Sequence, residues 1–265
     1  MKRPLIFLFI LSFVVLPALL SAQIKRDDKK IIEDTRKAYS TLRRQGLIEV
    51  RAALNPNWQP VFSDLPAARK PTAMKLANRL RFSILVDHNG KIEVVHRILG
   101  PKPNRSTAEA LDLLAKGIEL SATGFLMSWS PFMMTSLLPE QLEKFVLQEQ
   151  ESEYLLSFNQ GGIDVGVVMK KDLLITELKT PQGSVRPTLT RTADGFVLTG
   201  YEANNTDPVV GTVSLKVRIE SALINGMMLP QRVFLEGNSG GVPFKYELGF
   251  ANFQVKVASA ESVKR

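Results

Sequence analysis

Cysteine is absent from the 265 residues. An exported chain without it has no disulfide and no lipid-bearing N-terminal cysteine, so its stability rests on burial and it is expected to be freely soluble once processed. Histidine occurs only as His88 and His96, which cannot close a zinc site unless the fold brings carboxylates to them, and no clustered ligand spacing is present. There is no glycine loop followed by Lys-Ser or Lys-Thr to cradle phosphate. The bases are scattered without interleaved aromatics, so no nucleic-acid binding is expected. The apolar run Leu5 to Leu20 contains Pro17 and falls short of the roughly 20 residues that span a bilayer.

Catalytic groups are equally sparse. Gly237-Asn238-Ser239-Gly240-Gly241 resembles the nucleophile segment of chymotrypsin-like proteases, but Asn238 stands where that family has Asp. No histidine has the family's Ala-Ala-His-Cys context, so Ser239 lacks a base and reads as part of a glycine-rich hairpin loop. Glu149, Glu151 and Glu153 lie in a polar link, where a carboxylate has no burial to move its pKa toward acid–base work. No catalytic residue, metal or cofactor is expected, and the chain reads as a non-enzyme.

The N-terminus has positive content. Met1-Lys2-Arg3, the apolar run and Leu20-Ser21-Ala22-Gln23 have the three parts of a secretory signal, with cleavage expected after Ala22. That places the product in the periplasm or outside the cell. Loss of Lys2 and Arg3 lowers the formal net charge from +8 to +6, a mild excess that suits a solvated surface or an anionic membrane surface. The organisation expected is a signal over 1–22, one domain over 23–257 and a polar tail over 258–265.

Helical spacing of Ile31, Thr35, Ala38, Tyr39 and Leu42 with a stop at Gly46 predicts a helix over 27–45. Leu47 to Leu54 reads as a strand, and Trp58 as a packing residue behind it. The prolines of 60–71 predict a surface crossing, followed by a short helix over 72–79. Asp87-His88-Asn89-Gly90 predicts a hairpin between 82–86 and 92–97. Ser106 and Glu109 have capping-box spacing for a helix that should end near Gly124, and Ser130-Pro131 should start another. Pro139 then begins a turn of helix through Phe145. From Glu153 to Lys256, alternating segments separated by Gly-containing turns form a meander, with a bend near Gly249. The fold class is α+β: a curved antiparallel sheet of roughly 11–12 strands, too many for a flat open sheet, forming a half-barrel with helices on its concave face.

Between Gly124 and Met134 the chain is apolar on nearly every side of a helix, so this segment should be enclosed. Methionine adapts to irregular apolar ligands. Phe125, Trp129, Phe132, Met133, Met134 and Leu137 are therefore candidate lipid-binding residues, unless they simply fill the core. The segment Pro131-Phe132-Met133-Met134, followed by Asp194-Gly195-Phe196-Val197-Leu198-Thr199 and Ile224-Asn225-Gly226-Met227-Met228-Leu229-Pro230, resembles the outer-membrane lipoprotein carrier (LolA-like) superfamily. With Tyr-Ser-Thr-Leu-Arg-Arg-Gln-Gly near the start and Trp-Ser-Pro-Phe in the middle, the chain looks most like exported bacterial proteins of that kind. The resemblance implies an incomplete barrel closed by helices, with acyl chains held between. The expectation is a monomeric binder of a lipid or lipoprotein acyl chain, and the alternative is an envelope structural or protein-interaction module with a filled core.

Overall fold

The computed structural model describes residues 27–39, 41–135, 137, 138, 142, 144–207 and 211–258. The expected signal and the tail beyond residue 258 lie outside them. Helix α1 (27–38) and helix α2 (Thr41–Arg44) take the place of the single helix predicted over 27–45, and Gly46 (φ 83°) ends them. Strand β1 (Leu47–Pro56) follows, then helices α3 (Trp58–Val61) and α4 (Lys70–Ala77). β2 (Leu80–Asp87) and β3 (Ile92–Ile98) form the predicted hairpin, with Gly90 at φ 85° in its turn. Helix α5 (Arg105–Met133) leads to β4 (Phe145–Glu149) and β5 (Glu153–Gln160).

The meander continues through β6 (Ile163–Lys170), β7 (Ile175–Thr180), β8 (Gly183–Thr192), β9 (Gly195–Asp207), β10 (Gly211–Ile224), β11 (Met227–Ser239) and β12 (Val242–Val257). All twelve strands join one antiparallel sheet in the order β3-β2-β1-β12-β11-β10-β9-β8-β7-β6-β5-β4. The sheet is open, with β3 and β4 at its edges. Its one long-range closure is β1 against β12, which joins the N-terminal hairpin block to the end of the meander.

Alternation decides which face is covered. Along β2, Leu80, Phe82, Ile84 and Val86 are buried while Arg81 and Ser83 are exposed, the period of a strand with one dry face. Phe250 of β12 and Phe196 of β9 join them in the core. Tyr39, at the end of α1, packs its ring at 5.1 Å from Phe196 and 6.3 Å from Phe132 of α5. Trp58 is buried as expected, stacked on Phe62 at 6.1 Å.

Three sequence expectations are corrected. α5 is one helix of 29 residues rather than two. Each interior glycine costs about 1 kcal/mol relative to alanine, whereas each large side chain buried along Leu111–Met133 returns about 1.5–3 kcal/mol. Pro131 falls in the last turn, so its missing N–H costs only the one backbone bond to Met127 O, at the very end of the helix. The N-cap is Asn104, whose Oδ1 accepts from Thr107 N–H at 2.9 Å; Ser106 lies inside the first turn and Glu109 pairs with Arg105. Phe145 opens a strand instead of ending a helix, because it pairs with β5; most of the short helix expected from Pro139 lies outside the described residues. β12 has an irregularity at Asn252 (φ 54°), where its pairing with β1 shifts register, and its pairing with β11 ends at Gly249.

Candidate apolar binding site

The six sequence-selected residues do come together, but as packing. Phe125, Trp129, Phe132, Met133 and Met134 are buried, and Leu137 is half-buried against them. The Phe125 ring lies 6.5 Å from Trp129 and 6.0 Å from Phe250, and the Met133 sulfur accepts from Leu198 N–H at 3.5 Å. Enclosure is one-sided: Met127, in the middle of the same segment, is 63% exposed. The segment is therefore a wall of the core on one face of α5 and open on the other.

An apolar cleft lies elsewhere on α5. About 550 Å³ opens between Val61 and Phe62 at the end of α3, Leu76 and Ala77 of α4, Leu111, Leu113, Leu114 and Gly117 of α5, and Tyr246 of β12. No charged side chain lines it, and its polar walls are confined to Ser106, Thr107 and Tyr246. None of the six predicted residues reaches it. Sequence reading passes over this site because Pro60–Pro71 reads as a crossing with few large apolars. The available signal was the helical spacing of Trp58 and Phe62, which places both rings on one side of α3, against Phe82 at 6.3 Å from Trp58.

The cleft's far wall is held by polar contacts. Asn57 caps α3 through its Oδ1, which accepts from Gln59 N–H at 3.0 Å, and its Nδ2 donates to Glu247 Oε2 at 2.8 Å. The Arg232 guanidinium, then the Asn57 amide, hold the Glu247 carboxyl below the usual carboxylate range. α5 is pinned on its other flank by His96 of β3, whose Nδ1 lies 2.7 Å from Glu119 Oε1. His96 is partly buried in this pair.

Two other hollows carry charged side chains, although the larger one also has apolar walls at Phe145, Leu147, Phe158 and Val165. One of about 1080 Å³ runs between the start of α1 and β4–β7, with Asp28, Lys29, Lys144, Asp164 and Lys179 on its walls. The other, about 670 Å³, lies over β1–β3 with Arg51, Arg81, Glu93 and Arg97. Their mixed charges leave the smaller α4–α5 cleft as the better match to an apolar ligand. Ser239 sits at the β11–β12 hairpin beside Asn238, whose Oδ1 accepts from Gly241 N–H at 2.7 Å. His88 instead faces Ile48 O at 3.2 Å. Comparison of the chain with models of protein families, with curated proteins and with solved structures finds no match to any of them. The lipoprotein-carrier resemblance rests on its sequence motifs alone.

Proposed function

We propose that this is an exported, non-enzymatic protein that binds a lipid or lipoprotein acyl chain. In this reading the sheet is a half-barrel, its concave face is closed by α1 and α5, and the ligand chain lies in the α4–α5 cleft rather than beside Trp129. The observation that carries it is the cleft itself, whose volume falls in the range of about 300–1,000 Å³ usual for small-molecule sites and whose walls hold no charge. Phe62, Leu76 and Leu114 would contact the chain, and Tyr246 with Ser106 and Thr107 would meet a polar head. Phe125, Trp129, Phe132, Met133, Met134 and Leu137 act as the packed floor that keeps α5 in place.

The test is to fill the cleft. Leu114→Trp and Leu76→Trp should abolish co-purification of lipid seen by native mass spectrometry, and should remove the thermal shift produced by fatty acids or lipopeptides. A ligand selective for the folded state raises the melting temperature with its concentration. Wild-type protein that carries no lipid and gives no shift across fatty acids, phospholipids and lipopeptides would leave the second reading, a protein-interaction module of the envelope. The closed packing around Trp129 favours that reading.

A further inference from the structure

α5 has two apolar faces: the sheet covers one, and the other is exposed along its length and borders the α4–α5 cleft at Ala110, Leu113 and Gly117, so a partner on this face would also cover that edge of the cleft. Leu111, Ile118, Phe125 and Trp129 are buried on the sheet side. On the opposite side Leu113 is 75%, Leu120 75% and Met127 63% exposed. These recur at every seventh residue, so they form one stripe drifting by only about 20° per repeat. Beside them, three positions earlier in each repeat, stand Ala110, Gly117 and Gly124. A Cβ built on Gly117 or Gly124 would meet nothing within 4 Å. The stripe is a row of large side chains beside a row of gaps.

We propose that this face pairs with the same face of a second copy, the two α5 helices running antiparallel about a two-fold axis, in place of the expected monomer. The pattern is self-complementary in one register. Leu113 then meets the second copy's Gly124, Leu120 meets its Gly117 and Met127 meets its Ala110, and each contact is repeated by symmetry. Large side chains thus enter gaps on the facing helix all along the seam, as interdigitated helix pairs require. A two-fold contact uses one patch twice, so no second complementary surface is needed.

The charges flanking the stripe support this occupant over a membrane surface. Arg105 is paired with Glu109 at 2.9 Å and Lys116 with Asp112 at 2.7 Å, each within its own helix. That leaves no cationic excess to hold anionic lipid. In the same register Lys116 faces the second copy's Thr123, so it meets no like charge there. Among the described residues no helix is long and apolar enough to cross a membrane. From Ala110 to Met127 the seam is about 27 Å long, a modest contact that predicts a reversible dimer.

Sedimentation velocity on the purified protein across the micromolar range should show a concentration-dependent dimer. Leu120→Lys should give a monomer with unchanged circular dichroism. Because the chain has no thiol of its own, the double variant Leu113→Cys with Gly124→Cys supplies a second readout. Within one chain those positions are about 16 Å apart along the helix, too far for a disulfide. Oxidation should therefore give a covalent dimer on a non-reducing gel, reversed by reductant. Three results would overturn the proposal: a monomer at all concentrations without cross-linking, a dimer indifferent to Leu120→Lys, or a monomer that binds phosphatidylglycerol vesicles through Leu113 and Leu120.

Discussion

Two buried tyrosines show how much a single hydroxyl depends on its partners. The Tyr39 hydroxyl donates to Leu173 O at 3.1 Å and accepts from Ile175 N–H at 2.8 Å. It ties the end of α1 to the β6–β7 corner, where Leu173 holds a left-handed φ of 69°. Tyr201 is as deeply buried, but its hydroxyl lies beside that of Ser128 without a hydrogen bond of good geometry, since Ser128 donates to Gly124 O at 3.1 Å. Burial pushes the ionisation of both phenols up, so neither carries charge near neutral pH. Tyr39→Phe should cost about 1–3 kcal/mol, since it strands a buried N–H and carbonyl, whereas Tyr201→Phe should be neutral or slightly stabilising. Urea unfolding of the two variants decides this. Equal losses would mean that the Tyr201 hydroxyl is satisfied after all.

At the scale of elements, α5 is the part of the chain where local signals and tertiary packing disagree. Leu111, Leu114, Ile118, Ala122 and Phe125 recur at steps of three and four, and that spacing marks the inward face of the helix. The breaks placed at Gly124 and Ser130-Pro131 were wrong, since burial from Leu111 to Met133 outweighs both glycines. The hairpin at Asn89-Gly90 and most of the meander were legible because turn chemistry and period-two alternation are local. β4 was not: Phe145-Val146-Leu147 becomes a strand only through its partner β5, and pairing partners leave no trace in a single segment. The cleft was hidden for the same reason, its walls coming from α3, α4, α5 and β12. If the Trp129 neighbourhood is packed core, Phe132→Ala should cost about 3–5 kcal/mol through lost burial and a residual void, while leaving lipid uptake intact in protein that remains folded. A small stability loss together with abolished lipid uptake would return the binding site to the six residues selected from sequence.

For the whole molecule, stability turns on the junction of β1 with β12, where segments from opposite ends of the chain must find each other. Closing so long a loop is entropically costly and is offset only by what the junction itself makes. Glu247 sits at that junction. Its carbonyl accepts from Asn57 N–H at 2.8 Å, its carboxylate accepts from Asn57 Nδ2 at 2.8 Å, and Arg232 of β11 donates to it through Nε at 3.2 Å. One side chain thus joins β11, β12 and the cap of α3. Because the Arg232 guanidinium and Asn57 depress its pKa, the unfolded chain takes up this proton at a higher pH than the folded protein does. The stabilisation is therefore complete above the unfolded value, about 4.3 for glutamate, and is lost as pH falls through the lower folded value. Melting temperature should drop through that acid interval, and Glu247→Gln should start lower at neutral pH but fall less steeply, since no proton remains to be taken up there. Thermal melts of both proteins from neutral to strongly acid pH test the linkage, and parallel curves would show that the Arg232–Glu247–Asn57 cluster does not control the closure of the sheet.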